Sequence, residues 1–409
     1  MIRPWKSQNL AQVWREALDD AFFSDAFERK PVLVRGAYVD REPAITLDDL
    51  ERLLICPPGA RFSDVRVSRV GADGRVDAQS MPPDFKLATV LERYRAGYSV
   101  MLDQINYRWP PIYALCMALQ ERLAAAAPSI MRGRATCSAF LTPPHAQGHP
   151  RHYDRDDAYA LQVEGRKTWR FWAPVREAPL HNSSQEAVDL TALGEPDYEF
   201  VLEPGDVLYF PRGFVHEPFT GDLHSLHLSF GVIPVNWSQL LGEMLESHPA
   251  FRRSVPRAFL AEDGAELLRA DLSAMLALLD DPQAVRAWIA RARRSQLEGE
   301  NQTAAGRLAE AASAAGARGP GSARDSVLTK RYGARYHVEP SDGMHALAFP
   351  GMSIRIPSGC SAALEVMLRT VRFTAEDVRA GLSDHDLDAL ISQLLDAGFL
   401  CVVGDDGET

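Results

Sequence analysis

The chain has 409 residues, of which 46% are hydrophobic and 24% are charged, and its formal net charge is −11. These values are typical of a globular protein with two or three domains. The negative charge disfavours a sequence-independent nucleic-acid binder, which needs a basic surface, but it permits a basic protein partner. The five scattered cysteines contain no C-x-x-C pair, which argues against a disulfide framework or a thiolate zinc site. No uninterrupted apolar run could span a bilayer and the N-terminus is too charged for a signal peptide, so we expect a cytoplasmic protein without membrane contact.

In chain order, the first 130 residues mix predicted helices with short strands. Helices are predicted over residues 7–23, 46–54 and 109–127, and a strand that ends at a glycine is predicted over residues 31–36. From about residue 131 to residue 236, short extended runs alternate with Pro, Gly and Asn. This pattern predicts an all-β barrel or sandwich.

The composition changes again after the predicted barrel. Residues 237 to about 317 are rich in Ala, Leu and Arg at helical periodicity, and residues 312–323 have the composition of a flexible connector. We therefore predict three domains, namely a barrel-containing domain over residues 1–236, a helical region over residues 237–323 and a small domain over residues 324–409.

The C-terminal domain has a winged-helix pattern, in which helices predicted over residues 361–370, 374–381 and 384–398 precede a strand. The default function of such a domain is DNA binding. Residues 361–409, however, contain ten acidic residues and three arginines. Because DNA phosphates would repel this surface, we expect a packing or partner-binding domain instead.

The stretch HYDRDDAYALQVEGRKTWRFW, residues 152–172, places informative side chains on predicted strands. Residues two apart on a strand point to the same side, so His152 and Asp154 should project together. After a predicted turn at residues 164–165, Lys167 shares one strand face with two aromatic residues. A buried lysine is costly without a counter-charge, so we expect Lys167 to meet an anion.

A second informative stretch is GDVLYFPRGFVH, residues 205–216, which fits the cupin motif G-x5-P-x-G-x2-H. Its two turns should present His216 to the barrel interior. Two histidines and one carboxylate leave three positions of an octahedral metal open, as in non-haem Fe(II) oxygenases. We therefore predict that His152, Asp154 and His216 bind iron and carry catalysis. The alternative is a metal-free cupin in which both imidazoles are hydrogen-bonded core groups.

An iron centre of this kind needs a co-substrate that chelates the metal and leaves a position for dioxygen. 2-Oxoglutarate does so, and its far carboxylate needs a cation or hydroxyl groups, for which Lys167 is the predicted anchor. On the strand over residues 225–230 the polar face should line the pocket, so Ser229 is expected to add a hydroxyl. Ser138 is a further candidate hydroxyl, and His227 is either a pocket residue or a structural histidine.

Two more histidines, His145 and His149, lie in the loop PPHAQGHP. Histidines in a loop near a metal invite assignment as ligands. We expect them instead to contact substrate or to be solvated.

At these residues the chain resembles the JmjC-type ribosomal oxygenases, which are cupin-like 2-oxoglutarate- and Fe(II)-dependent protein hydroxylases. The resemblance includes the three predicted iron ligands, the hairpin LQVEGRKTWRF with Lys167, and the segments PGDVLYFPRGFVHE and HSLHLSFG. It implies an α+β fold with a double-stranded β-helix (jelly-roll, cupin) barrel and flanking helices, a helical homodimerisation region and a winged-helix-like C-terminal domain that does not bind DNA. It also implies Fe(II), 2-oxoglutarate and dioxygen, and hydroxylation of an arginine, or else a histidine, of a large-subunit ribosomal protein.

Other functions stay open at this point. Relatives of the fold hydroxylate peptides in natural-product pathways, and other cupins are isomerases. A cupin sensor joined to a winged helix would be a transcription factor, and a metal-free cupin would be a scaffold. DNA mobility shifts, metal analysis and dependence on 2-oxoglutarate would separate these functions.

Overall fold

The computed structural model forms two compact units, Met1–Trp237 and Ser238–Thr409. The division into three domains stays a prediction, and the predicted connector over residues 312–323 lies outside the described residues. Among the helices that are described, none is both long and apolar enough to cross a membrane. The described residues are 10–38, 43–55, 64–128, 131–181, 193–247, 249–255, 257–260, 269, 272–273, 276–277, 281–299, 326–331, 336–341 and 343–403.

The first unit is built on two antiparallel sheets. Their strands are β1 (Val32–Val34), β2 (Val65–Val70), β3 (Val76–Ser80), β4 (Ser99–Leu102), β5 (Met131–Thr142), β6 (His152–Tyr153), β7 (Asp157–Gly165), β8 (Lys167–Trp172), β9 (Tyr198–Leu202), β10 (Val207–Phe210), β11 (Val215–Phe219) and β12 (Ser225–Pro234). The larger sheet has the order β1-β10-β7-β12-β5-β4-β2-β3, and the smaller has the order β6-β11-β8-β9.

The inner faces of the two sheets pack together. Ala160 of β7 and Phe210 of β10 belong to one buried apolar cluster with Trp169, Phe171 and Leu202 of the smaller sheet. Inward and outward positions alternate along each strand, so the same strands can place polar side chains between these apolar contacts. The prediction of an α+β protein with a cupin-type barrel is confirmed.

Helices of the first unit pack on the outer face of the larger sheet. They are α1 (Leu10–Ala17), α2 (Asp20–Asp25), α3 (Leu47–Ile55), α4 (Leu87–Arg95) and α5 (Pro110–Ala126). Trp14 of α1 is fully buried, makes edge contacts with Tyr159 and Phe230, and donates from Nε1 to the carbonyl of Leu115 in α5 at 2.9 Å. This packing fixes the position of the larger sheet, which carries polar barrel strands.

The predicted helix over residues 7–23 is two helices rather than one. Asp19 has an extended backbone, and its side chain accepts a hydrogen bond from the amide of Phe22 at 2.7 Å. An aspartate in this conformation caps a new helix, so α1 ends and α2 begins at this point. The helix predicted over residues 109–127 is confirmed as α5.

The predicted turn at residues 164–165 is confirmed, but the expected hairpin is wrong. Strand β7 hydrogen-bonds to β10 on one side and β12 on the other, so it has no free edge for β8. The chain instead passes to the smaller sheet, where β8 pairs with β9 and β11. Lys167 therefore projects from the sheet opposite the one that Gly165 leaves.

The second unit has a separate apolar core. Its described elements are α6 (Trp237–Ser247), which begins at the boundary, α7 (Pro282–Gly299), β13 (Leu328–Lys330), β14 (His337–Ser341), β15 (Met344–Phe349), β16 (Met352–Pro357), α8 (Ser361–Arg369), β17 (Arg372–Phe373), α9 (Asp384–Asp396) and β18 (Leu400–Val402). These strands form two three-stranded sheets, one with the order β17-β13-β18 and the other with the order β14-β15-β16.

Two of the three helices predicted near the C-terminus are present as α8 and α9. The third, predicted over residues 374–381, is wrong because only a short 3-10 helix, Glu376–Val378, forms there. Ala380 and Gly381 take φ values of +45° and +82°, which end the helical run. The winged-helix assignment stays a prediction.

The turn between β7 and β8 leaves no room for a side chain at Gly165. Its φ is +68°, and an added Cβ would lie 1.8 Å from the carbonyl oxygen of His224. We expect Gly165→Ala to lower the free energy of unfolding by at least about 2 kcal/mol, measured by urea denaturation. Gly221→Ala is the control, because no described atom lies within 4 Å of its added Cβ. Equal stabilities of the two variants would contradict this expectation.

Candidate active site

The three predicted metal ligands lie together at the junction of β6 and β11. These strands pair antiparallel with His216 directly opposite His152. Side chains of directly opposed residues lie on the same face of a sheet, so both imidazoles project to one side. Asp154 follows the end of β6, and its carboxylate joins them. One ligand atom from each of the three residues lies within 4.8 Å of the others.

The ring orientations leave one nitrogen of each histidine for a metal. Nδ1 of His152 lies 2.7 Å from the carbonyl of Pro150, and Nδ1 of His216 lies 3.1 Å from that of Phe214. Each Nδ1–H donates to its carbonyl, which fixes the tautomer and leaves the Nε2 lone pair free. Each Nε2 lies 3.7 Å from a carboxylate oxygen of Asp154.

The surroundings of His216 keep its imidazole neutral. Burial lowers the pKa of His216 well below its usual value, and the nearby His152 lowers it further. The rings of Trp169, Phe171 and Phe210 pack against the imidazole with centroids 4.7–5.8 Å away. A neutral imidazole in an apolar environment is a good ligand for a divalent transition metal. The donor set of two imidazole nitrogens and one carboxylate therefore fits Fe(II).

These ligands line a cavity of ≈ 280 Å³. Lys167 lies in the same cavity, buried to 4% exposure, and its Nζ donates to the hydroxyl of Thr142 at 2.9 Å. Ser99 donates to the same hydroxyl at 3.1 Å. Desolvation lowers the pKa of Lys167 to about 7, since no carboxylate among the described residues offsets its burial. Lys167, Thr142 and Ser99 thus offer a cation and two hydroxyls to an anionic ligand.

Ser229 lines the cavity, as expected, but Ser138 has a different environment. Ser138 lies opposite Ser229 in the register of β5 and β12, and its hydroxyl donates to Asp103 at 2.7 Å. A role for Ser138 in binding a cofactor stays a prediction that this contact does not favour. The hydroxyl that approaches Lys167 is that of Thr142, on the same face of β5. Its strand position could have suggested that this hydroxyl lines the cavity, but not that it meets Lys167.

His227 also lines the cavity and is 2% exposed. Its ring stacks on Phe140 at 4.9 Å and meets Trp169 edge-on at 5.5 Å. Burial lowers the pKa of His227 well below its usual value, and Lys167 lowers it further, so this imidazole is neutral. Among the described residues, Nδ1 of His227 and Nε1 of Trp169 are buried without a hydrogen-bond partner. The cavity therefore offers two more polar atoms to a ligand.

The loop histidines have different positions. His149 lines the cavity beside His152, with ring centroids 5.6 Å apart, and burial lowers its pKa to about 3. His145 is exposed, and its Nε2 lies 3.5 Å from Oδ1 of Asp222. The sequence pattern placed His145 and His149 in one loop but gave no indication of which side chain turns inward.

Comparison with known proteins agrees with this geometry. A family model described as "JmjC domain" matches residues 116–240, which include all three candidate ligands and Lys167. Residues 116–240 therefore form a JmjC domain, and the chain is similar to the ribosomal oxygenases. JmjC oxygenases use Fe(II) and 2-oxoglutarate, and the donor set and buried lysine of this cavity suit both.

The relatives include "Ribosomal oxygenase 1" of Rattus norvegicus, 34% identical over 264 residues, which are 60% of this chain and 42% of the rat protein. The "Bifunctional lysine-specific demethylase and histidyl-hydroxylase NO66" of Drosophila persimilis is 37% identical over 154 residues, 37% of this chain and 20% of the fly protein. The chain thus matches less than half of the length of these curated relatives.

Solved structures share the fold. Escherichia coli ycfD is superimposed with a TM-score of 0.53 at 19% identity, covering 93% of this chain and 97% of that one. A second structure, of the E. coli ribosomal oxygenase YcfD with cobalt and 2-oxoglutarate, gives a TM-score of 0.50, also at 19% identity, over 94% of this chain and 97% of that one.

Removal of one ligand should abolish metal binding. We expect wild-type protein to bind one Co(II) per chain in calorimetric titration, and His216→Ala to lose this binding because two of three donors remain. His227→Ala is the control, since His227 is an equally buried cavity histidine outside the ligand set. Loss of cobalt binding in both variants, or in neither, would contradict the ligand assignment.

Proposed function

We propose that this protein is a 2-oxoglutarate- and Fe(II)-dependent oxygenase that hydroxylates a protein side chain, with His152, Asp154 and His216 as the iron ligands. The observation that carries the proposal is the convergence of the three ligands and a buried lysine in one cavity. The ligand cluster or the buried lysine alone could be explained by packing. Together they provide the donor atoms for a metal and a cation for a dicarboxylate. When bound, Fe(II) with 2-oxoglutarate and dioxygen supplies the oxidising power for attack on a C–H bond.

The protein side chains hold and orient the reactants. Two carbonyl groups fix the Nδ1–H atoms of His152 and His216, so both Nε2 atoms stay directed at one point. Lys167 would hold the far carboxylate of the co-substrate through a charge-assisted hydrogen bond, and the hydroxyl of Thr142 would add a second contact. The aromatic rings around His216 exclude water from one side. The side chain of Asp154 is 41% exposed, which supports substrate approach from its side.

The proposed substrate is a basic segment of a large-subunit ribosomal protein. The names of the relatives, ribosomal oxygenase and histidyl-hydroxylase, support this class. The sequence led us to expect arginine before histidine. Of the charged residues that line the described cavity, Lys167 would bind the co-substrate and Asp154 the metal, and the third, Arg66, is a cation whose Nη2 lies 3.2 Å from Oδ2 of Asp103. A neutral histidine side chain avoids like-charge repulsion in this cavity, so we favour histidine over arginine.

The proposed partner of the second unit is another copy of the chain. Large apolar side chains in its helical part are exposed, and such side chains commonly mark a surface that a partner covers. These residues are Leu241, Val255, Leu260, Leu272 and Leu276. The N-terminal turn of α9 carries Asp384 and Asp386, which supports the expectation that this unit does not bind DNA.

The other functions have less support. A metal-free scaffold would not need a cavity-facing carboxylate between two Nε2 atoms, and a transcription factor would not need a buried lysine beside them. A natural-product hydroxylase shares all of these features and differs in substrate alone.

Substrate turnover tests the proposal directly. We expect peptides from basic segments of ribosomal proteins to stimulate succinate release and to gain the mass of one oxygen atom, with histidine-containing peptides better than matched arginine-containing ones. Asp154→Ala should release no succinate with any peptide. Wild-type protein without substrate-dependent turnover would refute the function, turnover that survives in Asp154→Ala would refute the ligand assignment, and a preference for arginine would refute only the choice of residue.

The low pKa of Lys167 predicts how co-substrate binding depends on pH. A bound carboxylate favours the ammonium form, so above about pH 7 binding must be accompanied by proton uptake. We expect the apparent KM for 2-oxoglutarate to be flat below about 7 and then to rise toward roughly tenfold per pH unit. Lys167→Met should raise this KM about 10- to 100-fold at neutral pH.

Lys167→Arg is the matched control, because a guanidinium stays charged over this range. The KM of Lys167→Arg for 2-oxoglutarate should not change with pH above about 7, where the KM of the wild type rises. An equal rise in both proteins, or an unchanged KM in Lys167→Met, would show that Lys167 does not hold the co-substrate.

A further inference from the structure

Asp157 and Arg212 form a largely buried ion pair that takes no part in the functions described so far. Asp157, the first residue of β7, is fully buried. Its Oδ1 accepts a hydrogen bond from the backbone amide of Arg212 at 2.9 Å, and Nη1 of Arg212 lies 3.4 Å from the same oxygen. Nη1 of Arg212 also donates to Glu28 at 2.9 Å. Burial raises the pKa of Asp157 to about 6 even though Arg212 opposes this effect.

These two residues lie in the segments that carry the metal ligands. Asp157 follows Asp154 by three residues, and Arg212 precedes His216 by four. A backbone hydrogen bond joins the same segments, since the amide of Gly213 donates to the carbonyl of Asp154 at 2.9 Å. The loop after β6 and the turn before β11 are therefore tied together at two points.

The turn itself has little freedom to move. Gly213 has φ +88°, and an added Cβ would lie 2.5 Å from the carbonyl of Arg176. The carbonyl of Arg176 blocks movement on one side of the turn, and the Asp157 carboxylate binds Arg212 on the turn. These two contacts fix the position of the turn relative to Asp154. A loss of the carboxylate would remove the side-chain link and leave the backbone hydrogen bond from Gly213 to Asp154 together with the flanking ladders of β6–β11 and β7–β10.

We propose that Asp157 is a positioning residue, which binds the turn at Arg212 and thereby sets the distance between the Asp154 carboxylate and His216. This inference rests on the proposed function, because it concerns the metal site of that function. Asp157 acts through Arg212 and does not contact the metal. A group that orients metal ligands in this way typically contributes a factor of about 10 to 100 in metal affinity.

The chain contains a matched control for a purely structural role. Asp206 is 3% exposed, and like Asp157 it accepts hydrogen bonds from a backbone amide, that of Gly36 at 2.9 Å, and from an arginine, Arg35, at 2.6 Å. It lies directly before β10, whereas Arg212 lies beyond the other end of that strand. Removal of either carboxylate should destabilise the barrel, but only one of them connects ligand-bearing segments.

The test is Co(II) affinity, measured by calorimetry on the full chain, together with thermal unfolding. We expect Asp157→Ala to weaken cobalt binding about 10- to 100-fold. Asp157→Asn should restore most of the affinity, since its amide oxygen can still accept from the Arg212 backbone. Asp206→Ala should lower the unfolding temperature and leave the cobalt affinity unchanged. If Asp157→Ala does not fold, Asp157→Ser replaces it, because the serine hydroxyl is too short to reach the Arg212 amide.

The outcomes separate this inference from the function on which it rests. Wild-type protein that binds no cobalt would overturn both. Wild-type binding that is equalled by Asp157→Ala, or an equal loss of affinity in Asp206→Ala, would overturn the positioning role and leave the metal site intact.

Discussion

The register between β6 and β11 is the constraint on which the site depends. His152 and His216 are directly opposed in this pair, so both imidazoles lie on one face. Side chains alternate along a strand, and a shift of one residue would therefore turn one imidazole to the other face. Asp154 can complete the set only because the chain leaves β6 immediately after Tyr153. A short strand, a fixed register and one turn thus bring together ligands that are 64 positions apart in the chain.

The second constraint is the cost of burying an amine. Lys167 lies inside the barrel because β8 belongs to the smaller sheet, whose inner face also carries Trp169 and Phe171. Within the part of the chain that the structure describes, this amine meets a hydroxyl, that of Thr142, and no carboxylate. The resulting low pKa means that an incoming dicarboxylate restores the charge that burial disfavours. The three candidate ligands and the amine line the same cavity, which suits a molecule with an anionic group at each end.

Much of this site could be predicted from the sequence, because its motifs are local. The spacing of His152 and Asp154, the cupin pattern that ends at His216 and the single lysine among aromatic residues are all visible in short segments. Contacts between distant segments were not predictable. Thr142 meets Lys167 across two sheets, Asp103 engages Ser138, and the inward turn of His149 depends on how its loop folds back.

The fold shows the same difference between local and distant information. Periodicity predicted α5 and the barrel strands, but it did not show that Asp19 caps a second helix near the N-terminus. The prediction of a hairpin between β7 and β8 was wrong because β7 pairs with β10 and β12, which lie far along the chain. The sequence pattern of a turn fixes where a strand ends, and the rest of the barrel decides which sheet the next strand joins.

The most direct measurement is a crystal structure of the protein with Co(II) and 2-oxoglutarate, in which anomalous scattering locates the metal. We expect one anomalous peak among Nε2 of His152, Nε2 of His216 and the Asp154 carboxylate, with the far carboxylate of 2-oxoglutarate on Nζ of Lys167. A metal bound elsewhere, or a dicarboxylate that does not reach Lys167, would contradict the assignment of this site.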